Sequence, residues 1–325
     1  MLNRSATNGT RLSVLVTGGA GFIGSHTVDR LLADGHSVRV IDNLSSGARI
    51  NLPAHHPQFE FIHGDVNDAA QLRAAMSDID SCLHLAAQIS VERSLADPAY
   101  SAEQNIMGGI RMLQAAREMG LSRIVYSSSA AVYGNPDRLS LDEAAPLQPI
   151  SPYGIEKQIL ERYAGFYSQA FGVSCLGLRY FNVYGPRQHG ASPYSGVIAK
   201  FIDALLTGQP VHIFGNGQQQ RDFIYVQDVV DANIAALQAD CQGICNVATG
   251  QLTSLLDLVR ALEALTGQSI QPVFSAGRQG DIYNSLGHVD RLREWLGVSA
   301  RWSLHQGLKE LLAHESARLD QAYEA

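Results

Sequence analysis

Short apolar runs alternate with longer amphipathic stretches through the first half of the chain. The strand-like runs occupy residues 13–18, 37–42, 59–65, 80–87 and 123–129. Apolar residues recur at helical spacing between them, in 21–35, 68–77 and 103–119, and Gly35 stands where a glycine commonly follows a helix end. Regular alternation of strands and helices implies right-handed crossovers and a parallel sheet covered on both faces. The pattern therefore predicts a doubly wound α/β domain over residues 1–180.

The pattern loosens after residue 180. Residues 180–196 are rich in Gly, Pro, Asn and Ser, which is typical of a loop. Helices are predicted further on, at 197–209, 253–266, 288–296 and 304–314. We infer a smaller substrate-binding region over residues 181–325, with some segments returning to the main sheet.

Composition and charge exclude several classes of protein. The 325 residues are 46% hydrophobic and 17% charged, which is ordinary for a globular protein with a substantial core. The net charge of −7 argues against a nucleic-acid or anionic-membrane surface, because both favour clustered basic residues. No apolar stretch approaches the roughly 20 residues of a membrane helix, and the polar first residues do not resemble a secretory signal.

The cysteines and histidines predict no metal centre. Cys82 and Cys175 lie in apolar strand-like runs and are expected to be buried thiols. Cys241 and Cys245 lack a second ligand pair nearby, and the eleven histidines form no HExxH pattern. These features predict a reduced, cytoplasmic protein without a metal ion.

A glycine-rich turn, TGGAGFIG at 17–24, follows the first strand and opens the first helix. Its Gly18, Gly21 and Gly24 allow a tight turn, close approach of backbone N–H groups to a pyrophosphate, and close helix–strand packing. Asp42 ends the second strand eighteen residues after Gly24. A carboxylate there can accept both hydroxyls of an adenosine ribose and repels a 2′-phosphate. The turn and Asp42 together predict NAD rather than NADP as the cofactor.

Further contacts with the dinucleotide are predicted at the same strand ends. Phe22 and Ile23 belong to the glycine-rich turn, and Asn43 follows the acidic residue of the second strand. Asp65 and Val66 follow the third strand, where they can hold the adenine ring. The fourth strand ends in small residues that allow the dinucleotide to cross the sheet edge, within the run Leu85, Ala86 and Ala87. Each of these features taken alone is more often only a strand end.

The candidate chemistry lies after the fifth strand, which closes at Ser129. Pro152 is expected at the first position of the next helix, which places Tyr153 near the helix N-terminus and Lys157 one turn on, along the same face. Alone, such a pair is more often a packed tyrosine and a solvated lysine. A free tyrosine has a pKa of about 10, but a neighbouring ammonium and a positively charged nicotinamide ring favour the phenolate. Together with Ser129, the pair forms the minimum set for moving a proton while NAD accepts a hydride.

These motifs make the chain similar, over nearly its whole length, to the extended short-chain dehydrogenase/reductase family, which has the Rossmann fold. The glycine-rich turn, Asp42, Ser129 and YGIEK at 153–157 carry the resemblance. Four further segments resemble the UDP-sugar 4-epimerases within that family, namely DNLSSG (42–47), SSSAAVYG (127–134), RYFNVYGPR (179–187) and RDFIYVQD (221–228). The resemblance implies a nucleotide-sugar enzyme that keeps NAD bound and uses Ser129, Tyr153 and Lys157 in catalysis.

Two alanines distinguish the chain from related enzymes. Sugar-nucleotide dehydratases of the family carry Asp–Glu after the hydroxyl of the fifth strand, and UDP-glucuronate decarboxylases carry a Glu there. This chain has Ala130 and Ala131, which cannot move protons, so elimination of water is disfavoured. The resemblance then implies inversion at C4 through a 4-keto sugar, which turns about its phosphate linkage and accepts the hydride on its other face.

The resemblance also implies a UDP-sugar pocket. Arg221 and Arg278 match positions that clamp the diphosphate, and Asn182 matches a contact with the phosphate or the sugar. The remaining implied contacts are Asp281 with the nucleotide ribose, Phe214 at the uracil pocket, and Ser90 and Val91 in a sugar-side loop.

One position bears on the choice of sugar. Ser285 matches a gate that is bulky in family members restricted to plain hexoses and small in those that accept N-acetyl sugars. A serine there leaves room for a C2 acetamido group. Glucuronate epimerases of this group tend to replace Asn182 with threonine and to carry an arginine where His189 stands, and this chain has neither change.

The leading hypothesis is a UDP-hexose 4-epimerase that accepts UDP-N-acetylglucosamine and UDP-N-acetylgalactosamine as well as UDP-glucose and UDP-galactose. The first alternative is a UDP-glucuronate 4-epimerase or decarboxylase. The second is a catalytically silent regulator that binds NAD or a nucleotide sugar. A homodimer through the helices that hold 103–119 and 154–170 is expected from the family, and both helices have apolar faces.

Overall fold

A seven-stranded parallel sheet forms the centre of the protein, with the strand order β11-β6-β5-β4-β1-β2-β3. The computed structural model describes residues 11–136, 138–188, 196–277 and 282–324. The strands are β1 (Ser13–Thr17), β2 (Ser37–Asp42), β3 (Phe59–His63), β4 (Ser81–His84), β5 (Arg123–Ser129), β6 (Cys175–Tyr180), β7 (Asn182–Tyr184), β8 (His212–Phe214), β9 (Gln220–Arg221), β10 (Phe223–Tyr225), β11 (Gly243–Val247), β12 (Thr253–Ser254), β13 (Val273–Ser275) and β14 (Asn284–Ser285).

Helices connect the strands. They are α1 (Phe22–Ala33), α2 (Ala69–Ala75), α3 (Val91–Ala96), α4 (Pro98–Ala102), α5 (Gly108–Met119), α6 (Pro152–Phe171), α7 (Val197–Leu206), α8 (Val226–Gln238), α9 (Leu255–Thr266), α10 (Asp290–Leu296) and α11 (Leu304–Glu324). Short 3-10 turns occupy Arg49–Asn51 and Ala130–Tyr133, and a π-helical turn at Glu103–Met107 joins α4 to α5.

Both faces of the sheet are buried, as β1 illustrates. Val14 and Val16 point into a core that includes side chains of α1 and α8. Leu15, between them, points into a second core built with α2, α5 and α6. Because successive side chains of a strand alternate between faces, a strand covered on both sides needs apolar residues at every position. This is why β1 reads as a continuous apolar run, and the predicted doubly wound fold is confirmed.

Predicted and observed elements agree over most of this sheet. The five strand-like runs correspond to β1 to β5, and α1 ends before Gly35, whose φ is +86°. The short helices α3 and α4 and the longer α8 were not predicted; α3 and α4 each span less than two turns and show no clear periodicity. The last helix extends to Glu324, past the predicted end at 314.

The later part of the chain builds a smaller layer over the carboxyl end of the sheet. Its core joins α7, α9 and α11, with Phe201, Leu258 and Leu308 fully buried or nearly so. Small sheets complete it, in the orders β10-β7, β12-β9-β14 and β13-β8. Between them, β11 returns to the main sheet beside β6. The chain thus passes from the main sheet to the smaller layer and back.

Two further features concern membrane-spanning helices and the cysteines. No helix within the described ranges is long and apolar enough to cross a membrane. The four cysteines are free thiols; Cys82, Cys175 and Cys245 are buried and Cys241 is half-buried.

A buried ion pair fastens α6 to the sheet. Arg179 of β6 donates two hydrogen bonds to Glu161 of α6, both at 2.8 Å, and both side chains are nearly inaccessible to solvent. Glu161 also accepts a hydrogen bond from Ser128 of β5 at 2.5 Å. Breaking such a pair by removing one partner is costly, because it leaves an uncompensated buried charge.

We expect Arg179→Met to lower the free energy of unfolding by about 3–5 kcal/mol, measured by urea denaturation at neutral pH. The matched control is Arg260→Met, which removes an exposed partner of Asp257 and should cost no more than about 1 kcal/mol. Equal losses in the two variants would contradict a structural role for the buried pair.

Candidate active site

The glycine-rich turn lies between β1 and α1, at the carboxyl edge of the sheet. Gly18 has a φ of +70°, and a Cβ there would lie 2.7 Å from the backbone nitrogen of Ala86. A Cβ on Gly24 would collide with the carbonyl oxygen of Gly18. Gly21, the N-cap of α1, carries no side chain to cap the helix, and a Cβ there would meet only the Gly18 oxygen, at 3.2 Å. The first N–H groups of a helix have no acceptor within it, so this helix start, with the space beside Gly21, fits a dinucleotide pyrophosphate.

Asp42 ends β2 beside this turn. Its carboxylate accepts hydrogen bonds from the backbone N–H groups of Ala20, at 2.9 Å, and Leu44, at 2.8 Å. Burial raises the pKa of Asp42, and these two hydrogen bonds oppose the rise. Each carboxylate oxygen retains acceptor capacity, so the position fits an adenosine ribose.

The neighbouring strand ends meet at the same edge. The Asn43 side chain donates to Asp65 at 2.9 Å and so connects the ends of β2 and β3. Val66 is buried in the core with α5, so only its backbone remains for an adenine ring. Phe22 and Ile23 begin α1 and pack against the smaller layer. Their contacts with a cofactor stay predictions.

The end of β4 lies close to the glycine-rich turn. Leu85 donates its N–H to the Thr17 carbonyl oxygen at 3.1 Å, and Ala86 donates to the Thr17 hydroxyl at 3.2 Å. Ala87 follows and is half-buried. These contacts keep the backbone after β4 close against β1, where small side chains leave the edge open.

Helix α6 begins where it was predicted to begin. Ser151 caps its N-terminus by accepting from the N–H of Gly154 at 3.2 Å, and Pro152 is the first helical residue. A Cβ on Gly154 would lie 2.7 Å from the carbonyl oxygen of Ala131, so glycine lets the helix approach the turn after β5. The Tyr153 N–H donates to the Ser94 hydroxyl of α3 at 3.2 Å.

The three predicted catalytic side chains come together on β5 and α6. Tyr153 makes a side-chain hydrogen bond with Ser129. The ammonium nitrogen of Lys157 donates to the carbonyl oxygen of Ser127 at 3.0 Å and to its hydroxyl at 3.1 Å. It lies 5.8 Å from the centre of the Tyr153 ring. One face of the helix therefore presents a phenol and an ammonium at the end of one strand.

Burial acts on both ionisable groups of this pair. It raises the pKa of Tyr153 to about 12, and the hydrogen bond with Ser129 opposes this rise. It lowers the pKa of Lys157 to about 8. A neutral phenol needs added positive charge before it can act as a base near neutral pH, and the Lys157 ammonium is one source of that charge.

The first two residues after β5 contribute no acid or base. Ala130 is buried and Ala131 is half-buried, and the Ala131 N–H donates to the Ser129 hydroxyl at 3.2 Å. Methyl groups therefore lie beside Ser129, at the positions where sugar-nucleotide dehydratases of the extended short-chain dehydrogenase/reductase family carry carboxylates.

On the substrate side, Arg221 and Ser285 are register partners in the β9–β14 pair, and Ser285 is buried. Paired residues of adjacent strands project to the same face, so their side chains are neighbours. Arg221 donates to the carbonyl oxygen of Tyr283 at 2.8 Å. Asn182 begins β7 and donates its N–H to the carbonyl oxygen of Asp222 at 3.0 Å.

The other predicted substrate residues are more scattered. Phe214 ends β8, in the small sheet with β13, and is half-buried. Ser90 does not lie in a loop as predicted: it is the N-cap of α3, and its hydroxyl accepts from the Arg93 N–H at 2.9 Å. Val91 is the first residue of that helix. Arg278, Asp281 and His189 lie outside the described residues.

Three residues near the site were not predicted. Ser127 could have been inferred, because it lies two residues before Ser129 on the same side of a strand. His84 of β4 is within hydrogen-bond distance of the Thr17 hydroxyl, at 2.8 Å, and burial lowers its pKa to about 3. Glu156, one residue before Lys157, is buried, and an isolated glutamate in a helix gives no signal of that.

Known proteins resemble this chain over most of its length. A model of the NAD dependent epimerase/dehydratase family matches residues 14–248. The UDP-glucose 4-epimerase of Mycolicibacterium smegmatis is 41% identical over 305 residues, which cover 91% of this chain and 96% of that protein.

Two solved structures extend the likeness to three dimensions. The UDP-N-acetylglucosamine 4-epimerase from Methanobrevibacter ruminantium M1, in complex with UDP-N-acetylmuramic acid, has a TM-score of 0.92 at 36% identity, covering 95% of this chain and 99% of that one. The UDP-glucose 4-epimerase from Thermotoga maritima, with UDP-glucose, has a TM-score of 0.91 at 38% identity, covering 95% and 100%. By sequence and by structure, the chain belongs to the NAD dependent epimerase/dehydratase family.

Proposed function

We propose that this protein is a 4-epimerase of UDP-hexoses that keeps NAD bound and accepts UDP-N-acetylhexosamines as well as UDP-glucose and UDP-galactose. The observation that carries the proposal is the contact of Tyr153 with Ser129, with Lys157 one helical turn away. The alanines at 130 and 131 support inversion rather than elimination, because no side chain there can deliver or remove a second proton.

In the proposed reaction, Tyr153 removes the proton of the sugar 4-hydroxyl and later returns it. Ser129 hydrogen-bonds the same sugar oxygen, and the Lys157 ammonium favours the phenolate of Tyr153. Bound NAD supplies the hydride acceptor and donor at C4. Inversion at C4 would then require only that the keto-sugar turn over within the pocket, so that the hydride lost from one face of C4 returns to the other.

Turnover of the sugar requires a firmly held UDP group. We propose that Arg221 and Arg278 bind the diphosphate and that Asn182 contacts the phosphate or the sugar, since guanidinium groups pair well with phosphate oxygens. Asp281 and Phe214 are proposed at the nucleoside end. Ser90 and Val91, at the start of α3, are proposed to border the sugar.

We expect Tyr153→Phe to lower the turnover of UDP-sugars by about 10²–10⁴-fold while bound NAD is retained, because the variant loses only the proton-transfer group. The wild type and the variant are incubated with UDP-glucose, UDP-galactose and both N-acetyl forms, and C4 inversion is measured with NAD content. UDP-glucuronate is included, with released CO₂ measured. Inversion of none of the first four by the wild type would contradict the function, and full activity in the variant would contradict the role of Tyr153.

Ser285→Tyr is expected to reduce turnover of the two N-acetylhexosamine substrates at least tenfold, with a smaller effect on UDP-glucose and UDP-galactose. The reason is that an aromatic ring beside Arg221 takes the space that a C2 acetamido group needs. The kcat/KM ratios of the four substrates provide the measurement, and Ser285→Ala is the matched control that adds no volume. An equal loss for all four substrates would mean that Ser285 is not the gate.

A homodimer through α5 and α6 is also proposed. Large apolar side chains on these two helices are exposed, with Phe166 at 56% and Tyr163 and Met119 at 40% each, and an apolar patch of this kind marks an interaction surface. We expect Phe166→Glu to shift the sedimentation coefficient from that of a dimer to that of a monomer. Val273→Glu, on the exposed strand β13, is the control and should leave the dimer intact. A wild-type chain that sediments as a monomer would contradict the proposal.

A further inference from the structure

A carboxylate is buried in the turn of α6 that bears the two ionisable residues of the proposed site. Glu156 lies on α6 next to Lys157, and each residue is only 3% exposed. One oxygen of Glu156, Oε2, accepts hydrogen bonds from the Ser101 hydroxyl at 2.8 Å and from the Asn105 amide at 2.5 Å. A buried carboxylate is costly to keep unless donors of this kind surround it.

The partners of Glu156 connect it to the end of β4. The Asn105 amide also donates to the Gln88 carbonyl oxygen, and its own oxygen accepts from the Gln88 N–H, both at 2.8 Å. The Gln88 side chain donates to the Ser101 hydroxyl at 3.0 Å, which leaves the hydroxyl hydrogen of Ser101 for Glu156. The donor and the acceptor of each hydrogen bond in this network are therefore defined, and the Glu156 carboxylate is the final acceptor.

The π-helical turn at Glu103–Met107 supplies one of the two donors. Asn105 lies inside that turn, and Ser101 lies four residues earlier in α4, so both side chains share one helix face. Because Gln88 follows Ala87 at the end of β4, the network joins the predicted dinucleotide edge to the helix that carries Tyr153 and Lys157. π-helical turns of this kind are frequent at functional sites.

We propose that Glu156 is a positioning residue of the reaction, which holds the turn of α6 bearing Tyr153 and Lys157 against the end of β4 and places a negative charge beside Lys157. The proposal rests on the proposed function, since it assigns a task to the same site.

The effect of Glu156 on the charge of Lys157 depends on the other charged and titratable groups around that lysine. Glu156 and Glu161 lie on its own helix, Tyr153 lies one turn before it, and His84 lies on β4. Burial lowers the pKa of Lys157 to about 8, and the two carboxylates oppose this shift. Removing one of them destabilises the ammonium, so the proton leaves Lys157 at a lower pH.

Replacement of Glu156 by Gln tests this inference, because the amide oxygen can still accept both hydrogen bonds while the charge is lost. Lys157 can be followed directly, since Lys157, Lys200 and Lys309 are the three lysines of the chain. With lysine labelled by carbon-13 at Cε, three NMR signals are titrated, and Lys200→Arg and Lys309→Arg assign them. We expect the Lys157 midpoint to fall by on the order of one pH unit in Glu156→Gln, and the high-pH limb of kcat to fall with it.

Two further variants separate charge from position. Glu60→Gln removes the same charge from the surface of β3, where Glu60 lies 2.6 Å from Arg39, and should leave both the midpoint and kcat unchanged. Glu156→Asp keeps the charge but shortens its reach, so kcat should fall while the Lys157 midpoint stays closer to that of the wild type than to that of Glu156→Gln.

An unchanged Lys157 midpoint in Glu156→Gln would overturn the inference. So would a Glu156→Gln variant that fails to fold beside a folded, fully active Glu156→Asp, since Glu156 would then serve structure alone. The NMR titration needs no turnover. A wild type that inverts no UDP-sugar would therefore refute the proposed function and still leave the Lys157 midpoint to decide the inference.

Discussion

The packing of α6 along the end of β5 is the constraint on which the site depends. Three consecutive serines end that strand, and each contacts a different side chain of the helix: Ser129 bonds Tyr153, Ser127 accepts from Lys157, and Ser128 donates to Glu161. Four helical residues rise about 6 Å and two strand residues about 6.6 Å. Because these repeats nearly match and the helix runs back along the strand, Tyr153 and Lys157 align with Ser129 and Ser127.

Two buried carboxylates of α6, Glu156 and Glu161, stabilise that alignment through their partners on neighbouring elements. Arg179 holds Glu161 on one side, and the amide and hydroxyl donors of Asn105 and Ser101 hold Glu156 on the other. Buried charges contribute little net stability. Their role here is geometric, because their hydrogen bonds fasten α6 to β6 on one side and to α4 and the π-helical turn on the other.

The parallel sheet explains why the separate parts of the site meet. Its carboxyl edge collects the glycine-rich turn after β1, Asp42 at the end of β2, the small residues after β4 and the serines of β5. The smaller layer lies over the same edge, because β7 directly follows the carboxyl end of β6 and pairs with β10 of that layer. A cofactor held by the first group and a nucleotide sugar held by the second would therefore meet at Tyr153.

The alternation of apolar and amphipathic segments determined the doubly wound fold. The glycine-rich turn and the start of α6 were also determined by the sequence, because each depends on a few adjacent residues such as Gly18, Ser151 and Pro152. The resemblance of its motifs added the epimerase chemistry. Only the tertiary structure decided that Ser127 accepts hydrogen bonds from Lys157 and that Glu156 is buried. These facts depend on contacts between residues far apart in the chain, such as Glu156 with Ser101, and no local periodicity encodes which face of α6 will meet which neighbour.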